Sequence, residues 1–322
     1  ATYKKRLFQM FKLDIESERN LENLIQLIGS NQCCVFIGSG LSVVAGYPSW
    51  SGLVDKLREA TRGAIGNDPA DPNLSYWEKT EVYRDAIGED IYFQNIISAF
   101  LPEGKDRYRP IHQALIRIPF HAYITTNYDL CLENAANNIG VQVRSHFYPE
   151  LDPSFLRDRQ VFHIHGILDP EDPRSSVGTI ILTKRDYQRA YQPGTSLPAF
   201  LLSLFCFHNV VFIGYGLQDQ DLINVIQHTR AELEERSLFE LKQGIGRRKD
   251  NQHYVIMHQG LTDAEKDKNI DTMKSLGLIP ILYGGENVRH TELEIILDII
   301  RRKTSTLVLP QPVLVRDAFD GG

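Results

Sequence analysis

The groups able to do chemistry are few and far apart in the chain. Cys33 to Ile37 is a short, continuous apolar run, and Gly38, Ser39 and Gly40 follow it at once. Glycines on either side of a small polar residue let the backbone turn sharply and approach a ligand without Cβ clashes. Backbone N–H groups in such a turn, backed by a helix N-terminus, favour an anion. The stretch is read as the pyrophosphate turn of a nucleotide site. A purely structural turn is the alternative, because GSGLSVVAG departs from GxGxxG. Three further polar stretches stand out: TTNYD at 125–129, HIHG at 163–166 and GYGLQDQD at 214–221. His163 and His165 are two residues apart, so a strand would point both to one face. An HxH pair can bind metal, yet no cluster in the sequence supplies partners, and His163 is read as packed or supporting. Asp129 can contact a ligand or cap its own helix. Asp219 is read first as a helix cap, with Asp221 in the first turn.

Strands and helices must alternate to position these groups. Residues 17–28 predict a helix with Leu21, Leu24, Ile25 and Ile28 on one stripe. Cys33–Ile37 suits a strand buried on both faces. Pro48 and Ser49 open a helix whose Trp50, Leu53, Val54 and Leu57 are read as core. Residues 60–120 show no strand alternation and are read as a mostly helical insertion over the sheet. Strands are expected at 121–126, Val161–His165, Thr179–Thr183, Asn209–Ile213, Tyr254–Met257 and Ile279–Tyr283. Helices are expected up to about Asn138, near 184–191 and 197–207, after Asp219 and at about 290–302. This order predicts an α/β fold: a Rossmann-like, doubly wound parallel sheet. Ligands of such sheets bind outside the carboxyl ends of the strands, so the four loops should converge. The expected division is an N-terminal helical arm (1–29), a catalytic domain (30–303) and a linker or interface tail (304–322).

The chain has 322 residues, 42% of them hydrophobic and 24% charged, as expected of a soluble globular protein. Its formal charge of −6 argues against general nucleic-acid binding. No stretch reaches the roughly 18 apolar residues of a membrane span. The charged N-terminus does not read as a signal peptide, and the chain starts at Ala1, as if processed or cut from a longer protein. The tail, with two prolines and a terminal Gly pair, suggests a domain beyond it. Cys33, Cys34, Cys131 and Cys206 form no CxxC pair, so neither a zinc ribbon nor a disulfide framework is indicated, and a cytoplasmic setting is expected.

Taken together and in order, GSGLSVVAGYPSW (38–50), TTNYD, HIHG and GYGLQDQD resemble the sirtuin-like family, specifically its bacterial antiphage-defence branch. The likeness covers a core from about residue 30 to 285. It departs from protein-deacylating sirtuins in three places. The zinc ribbon is missing. Tyr47-Pro48-Ser49-Trp50 stands where they have Ile-Pro-Asp-Phe-Arg, and Thr126 replaces the Gln before the Asn. What the resemblance implies is an NAD glycohydrolase, with NAD as substrate and no metal, cutting NAD to nicotinamide and ADP-ribose as the effector of a defence system. Asn127 would be the catalytic positioner and His165 the base, with Gly166 leaving room for the ligand. Gly38, Ser39, Gly40, Ser42, Thr126, Asp129, Gly214, Tyr215, Gly216 and Asp219 would line the NAD site, and Gly284, Gly285 and Glu286 could reach the adenine end. The implied partners are further copies of the chain and an ATPase, nuclease or sensor module. Two alternatives remain open: a deacylase or ADP-ribosyltransferase, and a non-catalytic module that senses NAD or ADP-ribose.

Overall fold

The computed structural model describes residues 13–101, 107–215, 223–227, 229, 231, 235, 251–284 and 291–307. In chain order the helices and strands are α1 (Ile15–Gly29), β1 (Cys33–Ile37), α2 (Gly40–Val43), α3 (Trp50–Ile65), α4 (Tyr76–Ile87), α5 (Glu89–Phe100), α6 (Pro110–Arg117), β2 (Tyr123–Thr125) and α7 (Cys131–Asn138). Then come β3 (Ser145–Phe147), β4 (Val161–His163), α8 (Pro173–Val177), α9 (Lys184–Ala190), α10 (Ser196–Phe207), β5 (Asn209–Ile213), β6 (His253–His258), α11 (Asp263–Ser275), β7 (Leu278–Tyr283) and α12 (Thr291–Leu307).

The seven strands form one sheet in the order β3-β4-β2-β1-β5-β6-β7, and every pairing is parallel. β2 and β5 flank β1 on opposite sides, with Ile37 in register with both Thr125 and Ile213. The winding direction reverses there, and a crevice opens beyond the strand ends. Strand alternation feeds two cores. Val35, Tyr123, Val161 and Val211 face α1, α6, α7 and α12, whereas Phe36, Ile124, Phe162 and Phe212 face α9, α10 and α11. A third core joins α3, α4 and α5 to the segments after β2 and β4.

Local signals explain most boundaries. Ser49 caps α3 by accepting the Gly52 N–H (3.1 Å), and Ser75 with Glu78 forms a capping box on α4. Helix α1 does not behave as an arm. Its stripe is buried in the first core, Ser17 Oγ accepts the Leu282 N–H (3.0 Å) and Asn20 Nδ2 donates to the Pro280 carbonyl (2.9 Å). Two side chains thus satisfy the outer edge of β7, which would otherwise offer unpaired backbone groups.

Three expectations need correction. Thr179–Thr183 is not a strand. It connects two cores, with Ile181 N–H bonded to the His165 carbonyl, Tyr128 Oη donating to the Ile181 carbonyl (2.6 Å) and Thr183 capping α9. Its apolar character comes from burial between cores, not from a ladder. The edge strand β3 was not expected. The last helix continues to Leu307, so residues 304–307 belong to it rather than to a tail. Residues 1–12 and 308–322 lie outside the described residues.

Candidate active site

The glycine loop after β1 packs backbone to backbone on the loop after β5. Gly38 N–H donates to the Ile213 carbonyl (3.0 Å) and Gly40 N–H to the Gly214 carbonyl (2.9 Å). A Cβ on Gly38 would fall on the Gly214 carbonyl oxygen and 2.6 Å from Tyr215 Cα. Gly214 has φ +65°, a conformation that favours glycine. The first-order need for these glycines is therefore this crossing. The Gly38 and Gly40 amides, expected to face an anion, are committed to it, and Gly38 lies behind the cavity wall rather than in it.

In front of the crossing is a cavity of about 540 Å³. Ser39, Gly40 and Ser42 from the first loop, Thr126, Asn127 and Asp129 from the second, His165 from the third, and Gly214 and Tyr215 from the fourth all line it. Gly216, Asp219, Asp221, Gly285 and Glu286 lie outside the described residues. Gly284 is placed against Gln259, which a Cβ there would overlap.

Asn127 is held on three sides. Its N–H donates to Thr125 Oγ1 (3.0 Å), its Nδ2 donates to the Gly38 carbonyl (3.1 Å), and its carbonyl accepts from His163 Nδ1 (2.9 Å). Its Oδ1 is buried with no partner. An unpaired buried acceptor costs free energy, on the order of 1–3 kcal/mol, which a ligand hydroxyl or water would recover. Asp129 caps its own helix and borders the cavity: Oδ1 accepts the Cys131 N–H at the start of α7 (3.1 Å), and Oδ2 accepts from Ser42 Oγ (2.5 Å).

The two histidines do not share a face. β4 ends at His163, and the following turn, with Gly166 at φ +86°, carries His165 to the opposite side of the sheet. His163 meets Glu133 of α7 through Nε2 (2.8 Å). His165 meets Tyr191 Oη through Nε2 (2.9 Å) and packs edge-on against Tyr187. Burial pushes His165 down to about 3, so its ring is uncharged near neutrality. Gly166 gives room not to a ligand but to the connector, since a Cβ there would lie 3.0 Å from the Thr179 carbonyl oxygen.

Several lining residues escaped the sequence reading. Trp50, read as core, is half-buried and pairs with Tyr76 at the cavity wall, together with Phe100, Tyr128 and Tyr187. Tyr187 and Tyr191 stack at 5.7 Å, and their i, i+4 spacing was the available signal. At the β6–β7 end stand Met257, His258 and Tyr283. His258 Nδ1 accepts the Gly260 N–H (3.1 Å), which leaves Nε2–H as a buried donor without a partner. Nothing in the sequence marked it beyond its place at a strand end. Among the described residues, no group of three His, Cys, Asp or Glu is placed to hold a metal ion. No helix among them is long and apolar enough to cross a membrane.

Residues 121–281, half of the chain, match the family model described as SIR2-like domain. The chain belongs to the SIR2-like family. Three curated relatives agree with the expected branch. Defense-associated sirtuin 2 of Bacillus subtilis is 27% identical over 244 residues, covering 69% of this chain and 23% of that protein. The NAD(+) hydrolase ThsA of Cytobacillus dafuensis is 22% identical over 230 residues, covering 70% and 44% respectively. ThsA of Bacillus cereus (strain MSX-D12) is 25% identical over 218 residues, covering 66% and 43%. The chain thus spans less than half the length of each of these relatives. The SIR2-like match contains TTNYD, HIHG and the GYG turn, whereas the first glycine loop precedes it.

Proposed function

We propose that this SIR2-like domain hydrolyses NAD to nicotinamide and ADP-ribose. The observation that carries the reading is Asn127, whose Oδ1 is buried and unpartnered, at the wall of a cavity that straddles the reversal point of a parallel sheet. The relatives named as NAD(+) hydrolases support it. On this reading the pyrophosphate crosses the glycine contact beside Ser39 and Ser42. The adenosine half runs toward His258 and Tyr283, and the nicotinamide ribose lies between Asn127 and His165.

Cleavage breaks the bond between the ribose C1′ and the pyridinium nitrogen. Nicotinamide leaves with the electron pair as a neutral molecule, so no general acid is needed, and positive charge builds on the ribose. Asn127 Oδ1 accepts a hydrogen bond from the attacking water or a ribose hydroxyl and fixes its approach. Water oxygen bonds to C1′, and its proton passes through His165 to solvent. An uncharged His165 accepts that proton without repelling the cationic substrate. The aromatic residues Trp50, Tyr76 and Tyr128 line the same cavity, and aromatic faces favour a cationic ring.

A relative named as a defense-associated sirtuin supports a role in defence, and we infer an antiphage effector that lowers cellular NAD, working within a homo-oligomer or with a partner module in the cytoplasm. Incubation of the purified chain with NAD alone tests the chemistry. Equimolar nicotinamide and ADP-ribose without a peptide acceptor are expected. Release that depends on an acylated peptide or a protein acceptor would assign deacylation or ADP-ribosyl transfer instead.

A further inference from the structure

We propose that His163 is a positioning residue which, held as an imidazolium between Glu133 and the Asn127 carbonyl, aims Asn127 Oδ1 into the cavity. The inference rests on the NAD-hydrolase reading for its activity readout, though not for its chemistry. His163 is fully buried. Its Nδ1 lies 2.9 Å from the Asn127 carbonyl oxygen and its Nε2 2.8 Å from Glu133 Oε1. With Glu133 ionised, as its lowered pKa favours, both partners are acceptors, and a neutral imidazole has a single N–H. Only the doubly protonated ring satisfies both.

The surroundings fit that charge. Burial alone would lower the His163 pKa, but the Glu133 carboxylate, reinforced by Asp129, raises it above the ordinary histidine value. Burial would likewise raise Glu133, and the His163 charge brings it below its ordinary value. The groups facing the pair are the Asn127 carbonyl and Asp129 after β2, Glu133 on α7, and Ser145 on β3, whose Oγ donates to Glu133 Oε1 (2.5 Å). The sequence supplies the arrangement compactly. β4 sits between β2 and β3: His163, its last residue, is in register with Thr125, two residues before Asn127, and Ser145 on β3 holds Glu133 from the other side. Asn127 has its N–H and Nδ2 fixed by Thr125 and Gly38, and the His163 bond is the third restraint. Without it the peptide after Asn127 can rotate and carry the amide away from the cavity. A misplacement near 1 Å costs about 100-fold in rate.

The test uses the full chain and isosteres at position 163 in a Glu133→Gln background, so that no carboxylate is left unpaired. Asparagine places its amide N–H where Nδ1 sits, and glutamine places it where Nε2 sits. His163→Asn should therefore keep kcat for nicotinamide release within about fivefold of the background, while His163→Gln should lose about 100-fold in kcat with KM within about threefold. Equal losses from both, in folded proteins of matched Tm, would overturn the proposal. Independently of turnover, ring ¹⁵N shifts of the wild-type chain at pH 7.5 should report His163 with both nitrogens protonated. A singly protonated His163 would overturn the proposal, even if the chain releases no nicotinamide. Lack of release beside a doubly protonated ring would count against the NAD reading alone.

Discussion

Gly38→Ala should damage the domain well beyond the loss of one glycine. The position does not have the left-handed φ that alanine resists, so the cost comes from space alone. The new methyl would sit on the Gly214 carbonyl oxygen, 2.6 Å from Tyr215 Cα and 2.8 Å from its Cδ2. Two of these are backbone atoms, which cannot swing aside. Restoring an ordinary 3.4 Å contact to Tyr215 Cα requires the β1 and β5 loops to part by about 0.8 Å. Overpacking of this kind costs about 1–3 kcal/mol, and about 2–4 °C of Tm accompanies each kcal/mol in a domain of this size. A fall of roughly 2–12 °C in thermal melting is expected. Catalysis should suffer more, because the Gly38 carbonyl anchors Asn127 Nδ2 and moves with the loop. Nicotinamide release should drop about 100-fold at a temperature where the variant is folded. Gly63→Ala is the control. Gly63 lies within α3, nothing is within 4 Å of its added Cβ, and alanine should stabilise by about 0.5–1 kcal/mol. Indistinguishable melting curves for the two variants would refute the crossing as the reason for Gly38.

Other expectations follow from the same geometry. The pKa values of His165 (about 3), His208 (about 4) and His253 (about 4) are held low by burial. The unfolded chain takes up protons at these sites near pH 6.5 and the folded chain does not, so stability falls as pH drops from about 6.5 to 4. Melting at pH 5 should come at least about 5 °C below melting at pH 7, and an unchanged Tm would contradict the burial argument. For kcat/KM, no acidic limb from His165 is expected between pH 5 and 8, and a limb near pH 6.5 that vanishes in His165→Ala would show the ring to be solvated. The ion pairs Lys184–Glu78 (2.9 Å) and Arg185 with Glu81 and Asp85 (both 2.8 Å) tie α9 to α4 at the surface. Replacing both Lys184 and Arg185 by alanine should cost about 1 kcal/mol or less, read from denaturant midpoints, because exposed pairs are weak.

Much of this fold was legible where a sequence signal had a single physical meaning. A short apolar run followed by glycine suited a strand buried on both faces, and Cys33–Ile37 and Val210–Ile213 lie in such strands. Pro48 and Ser49 before an apolar helical stripe marked the start of α3, which Ser49 caps. The convergence of four distant loops followed from the rule for parallel sheets. Failures arose where one signal had two causes. Thr179–Thr183 is apolar because two cores meet on it, and β-branched residues serve a buried connector as readily as a ladder. His163 and His165 part company because the strand stops between them, which a two-residue period cannot reveal. Gly38 and Gly166 were read as room for a ligand, whereas their missing side chains make room for backbone from other loops; Gly40 does the same and also borders the cavity. Trp50 sits on an otherwise buried stripe, and its half-exposure depends on where α4 packs. His258 became visible only when Gly260 was seen to occupy its other nitrogen.

The central claim is that Asn127 and His165 act on one NAD molecule in this cavity. Its most direct test is nicotinamide release by the purified chain, wild type beside Asn127→Ala and His165→Ala, with NAD binding measured for each. The account predicts steady release by the wild type and a loss of about 100-fold or more in both variants, with NAD still bound within about tenfold of wild-type affinity. Full activity in either variant, or a wild-type chain that binds no NAD, would contradict it.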